Sequence, residues 1–157
     1  MRSVIFLLAI SCSLFFLSMA APILVGFAYG ERATVIRLMV VAGVGAFTAM
    51  TVGAATTGHN HRLTATRLLL TMVAVWAALS VLGTLPFLVT GGLNLEAALF
   101  ESVSGLTTSG ASTLQGRETL PRSIIFWRLQ LEWIGGFITL SSLFLVLSPL
   151  SIGGLPK

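Results

Sequence analysis

The sequence contains no aspartate and little charge of any sign. Of its 157 residues, 9% are charged and 55% are hydrophobic. Without aspartate there can be no Ser-His-Asp triad and no pair of intramembrane aspartates, and neither a Walker loop nor a His-Glu-x-x-His motif is present. We therefore expect no enzymatic activity, and an intramembrane enzyme is a distant third hypothesis.

The sequence also has few residues for thiol or histidine chemistry, with one cysteine and two histidines. Cys12 is the only cysteine and lies within an apolar run, which argues against a disulfide, a zinc site or a reactive thiol. His59 and His61 are two residues apart, without a carboxylate or thiol nearby. This spacing favours a solvated polar loop over a metal site. We expect no cofactor in this chain.

The sequence is rich in long apolar runs. A chain this short cannot bury so much apolar surface in one soluble core, so its solvent must be lipid. Nearly uncharged runs cover residues 4–27, 38 to about 57, 68 to about 89, and 123–148. At 1.5 Å per residue, each is long enough for a hydrocarbon core of roughly 30 Å. The net charge of +4 lies between the runs and suits lipid headgroups better than nucleic acid.

The first run has an alternative interpretation as a cleaved signal peptide. Arg2 supplies a short basic start, and the small residues at 18–20 resemble a cleavage site. The apolar run is longer than the roughly 7–15 residues of a typical signal core, which favours a retained helix.

The second run carries small residues every fourth position, at Gly45, Ala49 and Gly53. Such a stripe lets another helix approach closely, which is how helices associate in lipid. We interpret it as a packing face without chemistry.

A shorter segment separates the third and fourth runs. Gly91 and Gly92 break the third run, Asn94 is a plausible helix N-cap, and Glu96 would complement the positive end of the helix dipole. A helix over 95–106 would be about 18 Å long, roughly half of a span. It must enter the bilayer and turn back.

The turn after this helix is rich in hydroxyls and ends near a glycine. Irregular backbone at membrane depth must be buried in protein or line water. Inward-pointing carbonyls can replace the hydration shell of a cation, and the carboxyl end of the helix adds partial negative charge. The lack of carboxylates in the turn favours a monovalent over a divalent cation. The predicted ion-binding residues, acting mainly through backbone carbonyls, are Thr107, Thr108, Ser109, Gly110 and Ala111.

Arg128 and Glu132 lie four residues apart on the last helix. One interpretation is an intrahelical pair near the interface, with Arg128 snorkelling outward. The other is a role at the pore mouth, because ionisable groups at membrane depth are often functional. The residues alone leave both open.

The predicted fold is an all-α integral membrane protein with four transmembrane helices and one re-entrant pore helix between spans three and four. Residues 1–66 form two amino-terminal helices, and residues 67–157 form one helix, pore loop and helix repeat. Both termini then lie on the same side. The positive-inside rule does not orient the chain, because lysine and arginine are evenly divided between the two sides.

Three motifs resemble a known family. They are Ala-Leu-Phe-Glu-Ser-Val-Ser-Gly-Leu-Thr-Thr-Ser-Gly-Ala at 98–111, Leu-Pro-Arg-Ser-Ile-Ile-Phe-Trp-Arg at 120–128 and Glu-Trp-Ile-Gly-Gly at 132–136. Together they are similar to the first pore repeat of the TrkH-like members of the Trk/Ktr/HKT potassium-uptake family. The chain departs from the family at Ser109, often Thr, at Glu132, often Gln, and at 137–138, often Met-Gly.

The resemblance implies K⁺ as the transported ion and a multi-pass protein of the bacterial plasma (inner) membrane, with both ends of this chain cytoplasmic. It implies that residues 107–111 form one quarter of a selectivity filter, with Gly110 as the characteristic glycine. Family members form homodimers and bind a cytosolic nucleotide-binding regulatory subunit that gates the pore.

Family members carry four repeats, whereas this chain has one, and a single filter segment cannot surround an ion. We expect a fragment that needs the remaining repeats. The alternatives are a homotetrameric cation channel and a non-conducting truncated or assembly membrane protein.

Overall fold

The computed structural model describes residues 2–57, 65–90, 92–114 and 120–147. These ranges contain helices and no strand, which confirms the predicted all-α class. The predicted polar loop with His59 and His61, the connection across 115–119 and the predicted helix end at Pro149 lie outside the described residues. The helices are α1 (Arg2–Ser18), α2 (Ala20–Ala28), α3 (Arg32–Ala55), α4 (Ala65–Leu82), α5 (Leu85–Thr90), α6 (Leu95–Leu106) and α7 (Arg122–Leu147).

The first apolar run is interrupted at Met19, between α1 and α2. Pro22 has no backbone N–H, so it cannot donate to the carbonyl of Ser18 one turn earlier. Gln130 of α7 supplies the missing donor: its Nε2 lies 2.9 Å from the Ser18 carbonyl oxygen and 2.8 Å from the Ser18 hydroxyl. The break in one helix is thus satisfied by a side chain of another.

The third apolar run is also broken, at Gly83 and Thr84, with Pro86 in the first turn of α5. The indole N–H of Trp127 donates to the Gly83 carbonyl at 3.2 Å. A β-carbon at Gly83 would overlap the hydroxyl of Ser102 on α6. The break therefore allows α4, α6 and α7 to meet closely at one point.

Three helical stretches are long and apolar enough to cross a membrane: Arg2–Ala28, Arg32–Ala55 and Thr66–Thr90. The first and third contain the breaks described above. Helix α7 has 26 residues but carries Arg128 and Glu132 in its first half, and it is not among the three in the described part of the chain. The fourth span stays a prediction.

The small-residue stripe of α3 packs against α1. A β-carbon at Gly45 would overlap the ring of Phe16, and one at Gly53 would lie 3.7 Å from the β-carbon of Ala9. The predicted close approach of a second helix is confirmed, and the partner is α1 of the same chain.

The core is formed by buried apolar side chains from α1, α3, α4, α5, α6 and α7. Trp127 is fully buried, and its ring contacts the edge of Phe15 at a centroid distance of 5.3 Å. Leu106 at the end of α6 and Leu131 on α7 are also fully buried. Burial of large apolar side chains at this point fixes the position of the short helix α6.

Glu31, in the loop between α2 and α3, holds the start of α7. Its carboxylate accepts hydrogen bonds from the backbone N–H groups of Arg122 and Ser123, and from the Ser123 hydroxyl at 2.6 Å. A carboxylate at a helix N-terminus satisfies otherwise unpaired donors and complements the dipole. Pro121, predicted to open this helix, immediately precedes it.

Helices α6 and α7 touch backbone to backbone. A β-carbon at Gly135 would overlap the carbonyl group of Leu106, whereas one at Gly136 would have no atom within 4 Å. The closeness of the two helices therefore depends on Gly135.

We predict that Gly135→Ala destabilises the chain by about 3 kcal/mol, the upper part of the range for overpacking, because backbone cannot give way as a side chain can. Thermal unfolding of the purified chain in detergent measures this effect. Gly136→Ala is the matched control and should leave the unfolding midpoint nearly unchanged. Equal midpoints for the two variants would contradict the helix contact.

Candidate functional site

Helix α6 has the bounds that the sequence predicts. The Asn94 side chain accepts a hydrogen bond from the backbone N–H of Ala97 at 2.9 Å, so the predicted N-cap is confirmed. Glu96 lies in the first turn, and the helix ends at Leu106 after 12 residues. At 1.5 Å per residue this length is about 18 Å.

The chain turns sharply after α6. The N–H groups of Thr107 and Thr108 donate to the carbonyls of Val103 and Gly105, both at 2.9 Å. Thr108 and Gly110 then have positive φ angles of 55° and 72°. Glycine adopts this conformation readily, but a threonine at positive φ is unusual. The turn is therefore held in a conformation that surrounding contacts must maintain.

Ser104 ties the turn back to α6. Its carbonyl accepts from the N–H of Ser109 at 3.1 Å, and its hydroxyl lies 2.9 Å from the Ser109 hydroxyl. The same Ser104 hydroxyl donates to the carbonyl of Ala111. One buried serine thus contacts both sides of the turn.

The carbonyls of the turn fall into two groups. The Ala111 carbonyl accepts from the Ser104 hydroxyl and from Nη2 of Arg128 at 2.9 Å. No hydrogen-bond donor within the described residues reaches the carbonyls of residues 107–110. All five residues of the turn are uncovered by the rest of the chain. The structure therefore brings together, in one exposed turn, the residues predicted to bind an ion.

Glu101 is fully buried beneath this turn. Its carboxylate accepts from the backbone N–H and hydroxyl of Thr113, at 2.6 and 3.0 Å, and from the hydroxyl of Ser112 at 2.9 Å. It also accepts from Nε of Arg128 at 2.8 Å. Several donors and one opposite charge compensate the loss of water around the carboxylate.

Arg128 is buried, with 6% of its surface exposed, and does not snorkel outward. Its guanidinium group bonds Glu101 through Nε, Glu132 through Nη1 and the Ala111 carbonyl through Nη2. The predicted pairing of Arg128 with Glu132 is present, but the outward direction is wrong because α6 and the turn supply two further acceptors. The planar guanidinium can satisfy all three at once.

Sequence reasoning missed Glu101 and its partners. Glu101 is the one carboxylate in the last two turns of α6, where its neighbours are apolar or small. That pattern was a usable signal for burial. Its partners Ser112 and Thr113 lie after the turn, and their position depends on tertiary structure.

No group of three histidine, cysteine or carboxylate side chains in the described part of the chain could hold a metal ion. Cys12 is buried among apolar residues.

Apolar helices of membrane length, with a short half-buried helix that ends in a turn of uncovered carbonyls, are the features of an all-α membrane protein. A family model described as "TrkH: Cation transport protein" matches residues 36–155. The chain belongs to the TrkH family of cation transport proteins.

Named relatives agree with this assignment. The Trk system potassium uptake protein TrkH of Halomonas elongata is 32% identical over 161 residues, which cover 99% of this chain and 32% of the relative. The protein of the same name from Vibrio parahaemolyticus is 34% identical over 156 residues, covering 98% and 32%. The chain thus spans about a third of the length of these relatives.

A solved structure shows the same fold. The crystal structure of the potassium transporter TrkH from Vibrio parahaemolyticus superposes with a TM-score of 0.84 at 32% identity. The match covers 99% of this chain and 34% of that one. The helix arrangement described above is therefore that of a TrkH protein.

We predict that Glu101→Gln destabilises the chain by about 3 kcal/mol, the lower end of the range for removing one partner of a buried ion pair. The amide keeps one acceptor oxygen but leaves Arg128 with less charge compensation. Chemical unfolding of the purified chain in detergent measures the change.

Glu96→Gln provides the matched control on the same helix, because Glu96 is exposed in the first turn. We expect it to cost less than about 1 kcal/mol, the size of a helix-dipole contribution. Equal losses in both variants would contradict a special role of the Glu101 carboxylate in stability.

Proposed function

We propose that this chain supplies one of four filter segments of a Trk-type protein for potassium uptake, with residues 107–111 as the segment. The observation that carries the proposal is the run of four carbonyls, at Thr107, Thr108, Ser109 and Gly110, that have no donor in the described residues and lie uncovered at the carboxyl end of α6. The family described as cation transport proteins, and the relatives named potassium uptake proteins, support it.

The chemistry of the turn suits a monovalent cation. Carbonyl oxygens can replace the water lost by K⁺. The partial negative charge at the carboxyl end of α6 also favours a cation. The hydroxyls brace the backbone: Thr107 Oγ1 donates to the Val103 carbonyl at 2.8 Å, and the Ser109 hydroxyl contacts Ser104. Carbonyls are thus the ligands and hydroxyls the supports.

We further propose four spans, with α6 re-entrant between the third and the fourth. Helix α7, with 26 residues, is about 39 Å long and can cross a hydrocarbon core of roughly 30 Å. Helix α6 is too short to cross, so it must return on the side from which it entered. Residues 1–66 then form two amino-terminal spans, residues 67–157 form the repeat, and both ends are cytoplasmic.

One filter segment cannot enclose an ion. Because the chain spans about a third of its relatives' length, we propose that three further segments come from the remaining repeats. The complete protein would be a homodimer in the bacterial inner membrane, and a cytosolic nucleotide-binding subunit would regulate it. K⁺ is the transported ion in this proposal, and no cofactor takes part.

A non-conducting assembly protein is the competing function. Such a protein would dock through small residues, and the stripe of Gly45, Ala49 and Gly53 is the candidate face. Gly45 and Gly53 already face Phe16 and Ala9 of α1. This internal contact favours the transport function over assembly through that stripe.

We predict that the chain alone does not rescue a K⁺-uptake-deficient bacterium at limiting K⁺, and that it does so together with a polypeptide carrying the other three repeats. Growth rate and Rb⁺ uptake measure the rescue. Rescue by the chain alone would support a homotetrameric channel instead. Failure in both arms, with the chain present in the membrane, would support the assembly protein and overturn the transport proposal.

We also predict that Gly110→Asp abolishes this rescue, because a carboxylate in the turn would block the ion or bind it wrongly. Gly30→Asp is the matched control: Gly30 lies in the loop between α2 and α3, has a φ of 71° beside the 72° of Gly110, and likewise has open space at the β-carbon position. The backbone strain is therefore similar. Normal Rb⁺ uptake in the Gly110→Asp variant would contradict the assignment of residues 107–111 as a filter segment.

A further inference from the structure

Arg128 makes one contact that a purely structural ion pair does not need. Its Nη2 donates to the Ala111 carbonyl at 2.9 Å, at the end of the turn whose preceding carbonyls have no donor in the described residues. A carbonyl oxygen has two lone pairs, and the Ser104 hydroxyl uses the second one on Ala111. Ala111 therefore has no lone pair left for an ion in this arrangement.

The other two contacts of Arg128 hold its guanidinium group in place. Nε bonds the fully buried Glu101 at 2.8 Å, and Nη1 bonds Glu132 one turn further along α7. Glu101 in turn receives Ser112 and Thr113, the two residues that follow Ala111. Hydrogen bonds to this ion-pair network thus fix three successive residues that follow Gly110. They are Ala111, Ser112 and Thr113.

The network also determines the net charge beside the turn. Arg128 contributes one positive charge, and its two carboxylate partners contribute two negative charges. The cluster has a net negative charge, so the nearby guanidinium does not repel a cation. An unpaired arginine at this distance would do so.

We propose that Arg128 is a positioning residue for ion selectivity. It holds the Ala111 carbonyl away from the ion pathway, so this segment offers a cation four carbonyls, those of Thr107, Thr108, Ser109 and Gly110. The proposal rests on the filter function proposed above. Selectivity depends on the number and field of the carbonyls that replace hydration, so the contact with Ala111 bears on which ion fits.

Arg128→Lys tests this role because it keeps the charge but loses the planar fork. One ammonium group can pair with Glu101 and Glu132 but cannot reproduce three donors in the guanidinium geometry. We expect the variant to fold, and the ratio of K⁺ to Na⁺ uptake to fall by about tenfold, the size expected for one charge-assisted hydrogen bond. Arg122→Lys, at the exposed start of the same helix, should leave the ratio unchanged.

A second measurement does not depend on transport. In the purified chain, amide hydrogen exchange across residues 107–114 should become about tenfold faster in Arg128→Lys, because local opening becomes easier once that bond is lost. Exchange in α1 and α3 should stay the same, and Arg122→Lys should match the wild type throughout.

The outcomes separate the two proposals. If exchange across the turn and the K⁺ to Na⁺ ratio both match the wild type, the positioning role is wrong even when Gly110→Asp abolishes uptake. If exchange rises while no combination of chains transports K⁺, the filter function fails and the role in selectivity fails with it. A changed ratio with faster exchange confined to the turn supports the positioning role.

Discussion

The buried ion pair between Glu101 and Arg128 is the interaction on which the arrangement of the turn depends. It joins α6 to α7 and, through Ser112 and Thr113, draws the returning chain against both helices. A buried ion pair is weak evidence for stability in itself, since desolvation offsets much of the attraction. Here it serves placement, because Nη2 of Arg128 bonds the Ala111 carbonyl of the turn, and Glu101 accepts from Ser112 and Thr113 just after it.

Close backbone packing makes this placement possible. Gly135 lets α7 touch the carbonyl of Leu106, and Gly105 faces Leu131 across the same contact. Side chains at these two glycines would push α7 away from α6, and the Arg128 guanidinium would then no longer reach the turn. The paired glycines of the family motif at 135–136 thus differ in role: the first one packs, and the second has open space around it.

Features that depend on residues close together in the sequence could be predicted, whereas contacts between residues far apart in the sequence could not. The bounds of α6 and its Asn94 cap depend on residues within one helical turn, so the sequence shows them directly. The breaks at Met19 and at Gly83 and Thr84 were not predicted as helix ends, because apolar composition continues through both. Their unpaired carbonyls are satisfied by Gln130 and Trp127, more than 40 positions away. The direction of Arg128 was left open between two interpretations for the same reason, because its further acceptors lie on α6 and in the turn.

The bond between Glu31 and the start of α7 has a mechanical consequence. It joins residues 91 and 92 positions apart, so the chain between them, from α3 to the turn, forms a closed ring. A tilt of α7 must carry the loop between α2 and α3 with it or break a carboxylate cap. The loop between α2 and α3 is therefore coupled to α7, and through the contact of Arg128 with Ala111 it is coupled to the turn after α6 as well.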